Sequence, residues 1–271
     1  MGYTYREYMK LIEIGKIEEA IDYRAEYTPD YLYKFFWLSN DPKDTAENEK
    51  RFYSLENNKL WFASAASQND PYEFKGIYLD NEKLLNLGVT QNSIDKSSEL
   101  LLKRAILTAF TANMSDNLPM WAHYSNNHRG FCVKYKVGRK QAIRNVTYEE
   151  RRISIANIFT NFLNAAHQCT TFGEADYYLK TRIYSTIMQE IFFYKHSSWA
   201  YEHEYRAIFP VDHETAGMNV DIGELGLSAS EIYCGINCNT KNKKRLVEIA
   251  TKIGVPIKEC KTSPVAFTIF E

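Results

Sequence analysis

The chain has 271 residues, 45% hydrophobic and 14% aromatic, which is ample material for a buried core. Its 33 Lys and Arg against 34 Asp and Glu give no global pull toward nucleic acid or an anionic membrane. Five scattered cysteines (Cys132, Cys169, Cys234, Cys238, Cys260) do not read as a disulfide framework, the polar opening does not read as a signal peptide, and no apolar run is long enough to span a bilayer, so a cytoplasmic protein with reduced thiols and no membrane is expected.

Thr4-x-x-Glu7 is a capping box, and Tyr8, Leu11 and Ile12 then recur at helical spacing until Gly15; Ile17 to about Glu26 predicts a second short helix. Apolar positions are too few here for a core, so residues 1–30 read as a peripheral helical arm on a single domain over 31–271. Tyr31 to Trp37 reads as a buried strand, Asp44 to Leu55 as a helix, Leu60 to Ala63 as a second strand, and Ile106 to Thr111 and Gly130 to Tyr135 as further strands. Thr147-x-x-Glu150 and Thr171-x-x-Glu174 are capping-box patterns ahead of two helices, striped by Phe159, Leu163 and Ala166 and by Leu179, Ile183 and Ile187. Strands at Tyr205 to Phe209 and Glu231 to Cys234, a helix from Lys241 to Ile253, and closing strands around Ile257 and Ala266 to Phe270 complete the chain. Strands that cluster between helices predict an α+β fold with a mixed, mostly antiparallel sheet core, flanking helices and the N-terminal arm.

The chain has no G-x-G-x-x-G, P-loop, G-x-S-x-G or H-E-x-x-H, which disfavours Rossmann oxidoreductases, P-loop NTPases and zincins. Cys234-x-x-x-Cys238 lacks a second ligand pair, and His123 and His128, five apart, do not share a helical face, so no metal site is expected. Three segments carry candidate chemistry. Ser64 to Glu73 follows a strand, and its Asn69-Asp70-Pro71 is a strong turn signal; it is either a rigid turn or a device that aims Asn69, Asp70 and Glu73 into a cleft. Met120 to Phe131 packs Trp121, His123, Tyr124 and Arg129 between two strands, either as core anchors or as a ligand-lining surface, with Gly130 permitting the turn into the next strand. Lys195 to Phe209 enters a strand on which Glu202, Glu204 and Arg206 would share one face. Two carboxylates so close raise one another's pKa unless a cation such as Arg206 intervenes; a solvated ion-paired strand end is the plainer reading.

In order and spacing, Tyr33-Lys34-Phe35, Phe62 with Asn69-Asp70-Pro71-Tyr72-Glu73, Met120-Trp121-Ala122-His123-Tyr124 with Gly130, and Trp199-x-x-Glu202-x-Glu204-Tyr205-Arg206 resemble the bacterial domain-of-unknown-function family numbered 2971, from about Leu32 to the C-terminus. The layout of an aromatic and basic first strand, a second strand ending in a small residue at Ser64, and a late Glu-x-Glu is further similar to ADP-ribosyltransferases of the toxin type. That resemblance implies NAD as substrate, Glu204 or Glu202 stabilising an oxocarbenium-like transition state, Tyr33 or Lys34 holding the adenosine side, and Trp121 or Tyr124 stacking on nicotinamide. The chain departs from it in carrying Lys34 where an Arg or His is usual. Three readings stand: an NAD-consuming transferase or glycohydrolase of the toxin or phage-defence kind, with a protein or nucleic-acid target; a non-enzymatic sensor or partner-binding module; and a metal-dependent nucleic-acid enzyme using Asp70, Glu73, Glu202 and Glu204. Each of these readings allows an oligomer.

Overall fold

Short runs of β-branched and aromatic residues bounded by turns build the centre of the molecule. The computed structural model describes residues 3–68, 70–172, 175–266 and 268–270. Nine strands form one sheet: β1 (Tyr31–Phe36), β2 (Lys59–Ser64), β3 (Ala105–Thr111), β4 (Phe131–Val137), β5 (Arg144–Asn145), β6 (Glu204–Pro210), β7 (Gly217–Asp221), β8 (Leu227–Cys234) and β9 (Ile257–Glu259). They run in the order β7-β2-β3-β1-β4-β8-β9, with β6 laid along β3 and β5 along β6. The β8–β9 ladder is parallel and the other ladders of this sheet are antiparallel, which is the mixed, mostly antiparallel sheet that the clustered strands predict.

The helices are α1 (Tyr5–Glu13), α2 (Ile17–Glu26), α3 (Thr45–Glu56), α4 (Asn81–Asn86), α5 (Gln91–Lys103), α6 (Leu118–Tyr124), α7 (Ala156–Phe172), α8 (Ala175–Met188) and α9 (Thr240–Ile253). Among the described residues no helix is long and apolar enough to cross a membrane. Two of the capping patterns do not cap. Thr147 opens a short strand, Thr147–Glu149, which pairs with Tyr194–His196, and α7 starts nine residues later. Thr171 lies in the last turn of α7, its hydroxyl donating back to the His167 carbonyl at 2.8 Å; its partner Glu174 falls outside the described residues. The Ser/Thr-to-i−4 bond competes with capping whenever the preceding chain is already helical.

Thr4 does cap α1, its hydroxyl oxygen accepting the Glu7 N–H at 3.3 Å, and Gly15, at a φ of +83°, makes the left-handed exit that separates α1 from α2. The arm is helical, as expected, and it is anchored. Tyr8, Ile12 and Ala20 are fully buried with Ile187 of α8, and the Tyr8 hydroxyl donates to Glu190 at 3.2 Å. An apolar stripe too narrow to make a core alone thus completes one supplied by the domain. Ile12→Ala should therefore lower unfolding free energy by about 2–5 kcal/mol, measured by denaturant melts, because it opens a cavity in a closed contact; a loosely held arm would show almost no change.

The sheet forks at β3. Along one edge β6 pairs with the whole strand, from Glu204 opposite Thr111 to Pro210 opposite Ala105. On its other edge β3 meets β2 at Leu107 and Ile106, and β1 only where Tyr33 faces Thr111. Strand β1 gives six consecutive positions to β4 instead, from Tyr31–Lys136 to Phe36–Phe131. Residues 108–110 are consequently left between two diverging strands, and Lys34 reaches into the gap to donate from Nζ to the Ala109 carbonyl at 2.9 Å. A backbone carbonyl that no strand supplies with a donor must find one elsewhere.

Candidate functional site

A cavity of about 230 Å³ opens in this fork, lined by Tyr33, Lys34, Ala63, Trp61, Thr108 and Tyr124, with Glu73, Lys195, Glu202, Glu204 and Arg206 at its floor. It shares Lys34, Phe35, Trp61 and Tyr124 with a second cavity of about 560 Å³, whose remaining lining includes Trp37, Glu47, Lys50 and Arg51. The Arg51 guanidinium lies 5.0 Å from the centroid of the Trp37 ring.

The floor is a buried ion cluster of three carboxylates and two cations. Lys195 Nζ sits 2.7 Å from Glu202, 3.2 Å from Glu204 and 3.6 Å from Glu73. Arg206 grips Glu204 with two parallel bonds, Nε to Oε1 at 2.6 Å and Nη2 to Oε2 at 2.9 Å, and donates from Nη1 to the Phe192 carbonyl at 2.6 Å. Its Nη2 also lies 2.8 Å from Glu73 Oε1, although that oxygen has no hydrogen bond of acceptable geometry. All five side chains are almost wholly buried, so their charges matter far more than those of a surface pair.

The two strand-end glutamates differ in state. Burial raises the Glu202 carboxyl, and the neighbouring Glu204 charge raises it further against the pull of Lys195. Burial also presses Glu204 upward, but Arg206 and Lys195 overcome it and hold this carboxyl well below the usual range. Tyr124, itself pushed up by burial and by Glu202, donates its hydroxyl to Glu202 Oε1. Glu204 is thus a fixed anion locked in a fork, and Glu202, held between a phenol and an ammonium, is the carboxylate whose pKa burial and Glu204 push upward. Lys34 is lowered by burial to about 8.

The shared face of Glu202, Glu204 and Arg206 does not come from strand alternation. Glu202 ends a 3-10 turn, Ser197–Glu202, and β6 begins only at Glu204; His203, in the left-handed region at a φ of 44°, swings Glu202 back over the strand. The Glu204 N–H is accepted by the Tyr148 hydroxyl at 2.9 Å, which fixes the strand's first residue.

Other candidates fall elsewhere. Trp121 is 0% exposed, packs edge-on against Phe35 at 4.9 Å, and satisfies its indole N–H on the Met114 carbonyl at 3.1 Å; it is a core anchor away from the cavity lining. Helix α6 turns His123, three residues before Asn126, outward to solvent, so a segment that reads as one lining surface is divided by helical geometry between core, solvent and site. Asp70 builds its turn, accepting the Tyr72 N–H at 2.9 Å, and Ser64 is buried behind the cavity wall that its neighbour Ala63 lines. Asn69 lies outside the described residues. Gly130 keeps ordinary backbone angles; a Cβ there would stand 1.9 Å from the Phe36 carbonyl oxygen, so the glycine serves close approach of β4 to β1.

From α6 to β6 the chain supplies Tyr124, Lys195, Glu202, Glu204 and Arg206 within one stretch. Residues 120–207 match the model of a family described as Protein of unknown function (DUF2971). The match leaves Tyr33-Lys34 and the Glu73 turn outside it. No curated protein and no solved structure matches the chain.

Reading by segment missed Lys195 as the centre of the cluster, and also Thr108, Trp61 and Arg51. Lys195 stands seven residues before Glu202, and only the return of the 3-10 turn brings them together. Thr108 Oγ1, like Glu73 Oε1, is buried without a hydrogen-bond partner and lines the cavity. Among the described residues no group of three or more His, Cys, Asp or Glu side chains is placed to hold a metal ion; the Glu73, Glu202 and Glu204 carboxylates converge on Lys195 and Arg206.

Proposed function

We propose that the forked cavity binds NAD and cleaves its nicotinamide–ribose bond, transferring ADP-ribose to water or to a protein or nucleic-acid target. The observation that carries this reading is the Glu202 carboxylate beside a buried hydroxyl without a hydrogen-bond partner, Thr108 Oγ1, in one cavity. An unpaired buried hydroxyl is costly, and a ribose hydroxyl is suited to satisfy it. Cleavage of an N-glycosidic bond builds positive charge on the sugar ring, and a cluster of three carboxylates against two cations offers the complementary field. Tyr33, Trp61 and Tyr124 offer faces for a flat heterocycle, and Lys34, Lys50 and Arg51 along the adjoining cavity suit a pyrophosphate.

In this mechanism Glu202, held by Tyr124 and Lys195, accepts a ribose hydroxyl and lies against the developing cation, while Glu204 and Arg206 fix the floor. Release of nicotinamide from NAD by the purified chain, followed by chromatography, is the direct test; no release alongside measurable NAD binding would instead favour a non-enzymatic sensor.

The pH profile has a definite shape. Glu202 acts ionised, so kcat/KM should fall as pH drops through a value above the ordinary glutamate range. Lys34 acts protonated, so kcat/KM should fall again as pH rises through about 8. In Lys34→Arg the alkaline limb should disappear from the accessible range, because a guanidinium stays charged there. An unchanged alkaline limb in that variant would remove Lys34 from substrate binding.

A further inference from the structure

Arg206 has a second neighbourhood. A cavity of about 340 Å³, sharing Arg206 with the forked one, is lined by four arginines, Arg24, Arg104, Arg144 and Arg206, and among the described residues it has no acidic residue in its lining. Arg24 comes from the arm helix α2, Arg104 from the turn before β3, Arg144 from β5 and Arg206 from β6, so only the tertiary fold brings them together. Two have their charge answered: Arg144 pairs with Glu190, and Arg206 with Glu204 and Glu73. Arg24 and Arg104 have no carboxylate within ion-pair distance among the described residues.

Arg24 is the decisive group. It is 6% exposed, its Nη2 donates to the Gln141 carbonyl at 3.1 Å, and its Nε is buried with no hydrogen-bond partner. Burial and the like charge of Arg144 lower it to about 10, against the smaller opposing pull of Tyr8 and Glu190. Tyr8 offers its ring to both guanidinium groups, at 5.9 Å from Arg24 and 4.8 Å from Arg144, which supports cations without neutralising them. A buried cation with an idle donor, beside a second cation in the wall of a cavity, is the condition that an anion relieves.

The geometry points to a phosphate-binding site in this cavity, taking free phosphate or a phosphomonoester. Two guanidinium groups outside ion-pair distance of a carboxylate, Arg24 and Arg104, beside the ion-paired Arg144 and Arg206, suit the tetrahedral oxygens of phosphate better than a planar carboxylate, which one fork saturates. Exposed Arg104 stands at the rim as the group that meets the anion first, and Arg24 lies within. Because Arg24 belongs to the arm and Arg206 to the floor of the forked cavity, an anion here would tie the arm to the ion cluster.

The test uses the full chain, titrated by calorimetry with inorganic phosphate and with adenosine monophosphate, against chloride at matched ionic strength. Saturable binding of phosphate is expected in the wild type, and Arg24→Gln and Arg104→Gln should each weaken it about tenfold or more. Lys34→Gln, in the forked cavity, should leave phosphate binding unchanged. Equal affinity for both probes would mean that the phosphate group alone is recognised, and tighter binding of the nucleotide that is lost in Arg104→Gln but kept in Lys34→Gln would assign the site to a phosphomonoester. Absence of saturable binding in the wild type overturns the proposal. So does binding that survives Arg104→Gln, a rim change that leaves the core intact even if Arg24→Gln fails to fold. Loss of phosphate binding in Lys34→Gln would place the anion in the forked cavity and overturn it equally; none of these outcomes depends on whether NAD is cleaved.

Discussion

Glu202→Gln is expected to lower NAD cleavage about 10²- to 10³-fold, the usual cost of removing one preorganised electrostatic stabiliser, while the melting temperature stays close to wild type. The cluster holds one carboxylate more than its cations balance: Glu73, Glu202 and Glu204 face Lys195 and Arg206. Neutralising Glu202 removes that excess and strands nothing, since Lys195 keeps Glu204 at 3.2 Å and Glu73 at 3.6 Å. The amide still accepts from Tyr124 or Lys195, so packing survives and only the charge facing the substrate goes. Nicotinamide release and thermal unfolding measured on one preparation decide it. A variant that melts far below wild type, or that cleaves NAD at the wild-type rate, would show that Glu202 is structural.

Glu204→Gln should behave differently. Its carboxylate receives both Nε and Nη2 of Arg206, and an amide can accept only one of those bonds well. Arg206 is 2% exposed and cannot recover the loss from water. Breaking such a buried pair costs about 3 kcal/mol, the lower end of the observed range, because Glu73 stays within 2.8 Å of Arg206. For a chain of this length that is a fall in melting temperature of roughly 5 °C. Arg206→Gln should destabilise further, leaving Glu204 dependent on Lys195. Calorimetric melts of the three variants rank the roles: activity loss without destabilisation at Glu202, destabilisation first at Glu204 and Arg206. If Glu204→Gln keeps the wild-type melting temperature but loses cleavage, the catalytic role passes to Glu204.

The α+β class and most central strands were legible in the chain because burial leaves a periodic mark. Tyr31 to Trp37 reads as a strand and is β1; Ile106 to Thr111 and Lys241 to Ile253 are β3 and α9 within a residue or two. The arm's first helix was legible from Thr4 and Glu7, since a cap is a contact between near neighbours. The Thr147 and Thr171 patterns show the converse: a capping signature is only local, and a strand pairing with Tyr194 or a helix already in progress overrides it. Within the site, the residue pattern singled out Glu73, Tyr124, Glu202, Glu204 and Arg206 and the resemblance added Tyr33 and Lys34; all seven line the forked cavity, whereas Ser64, Asp70, Trp121 and His123 do not. What it could not decide is which glutamate is pushed upward and which is held down. That depends on Lys195 lying between Glu202 and Glu204, on the Arg206 fork closing on one of them, and on a left-handed His203 that no alternation rule anticipates. The fork itself is equally remote from local pattern. It arises because β1 gives its pairing to β4 and touches β3 at a single position, a choice made by register across the whole sheet. Charge state and cavity are set by distances between residues far apart in the chain, and those distances exist only once the sheet has closed around them.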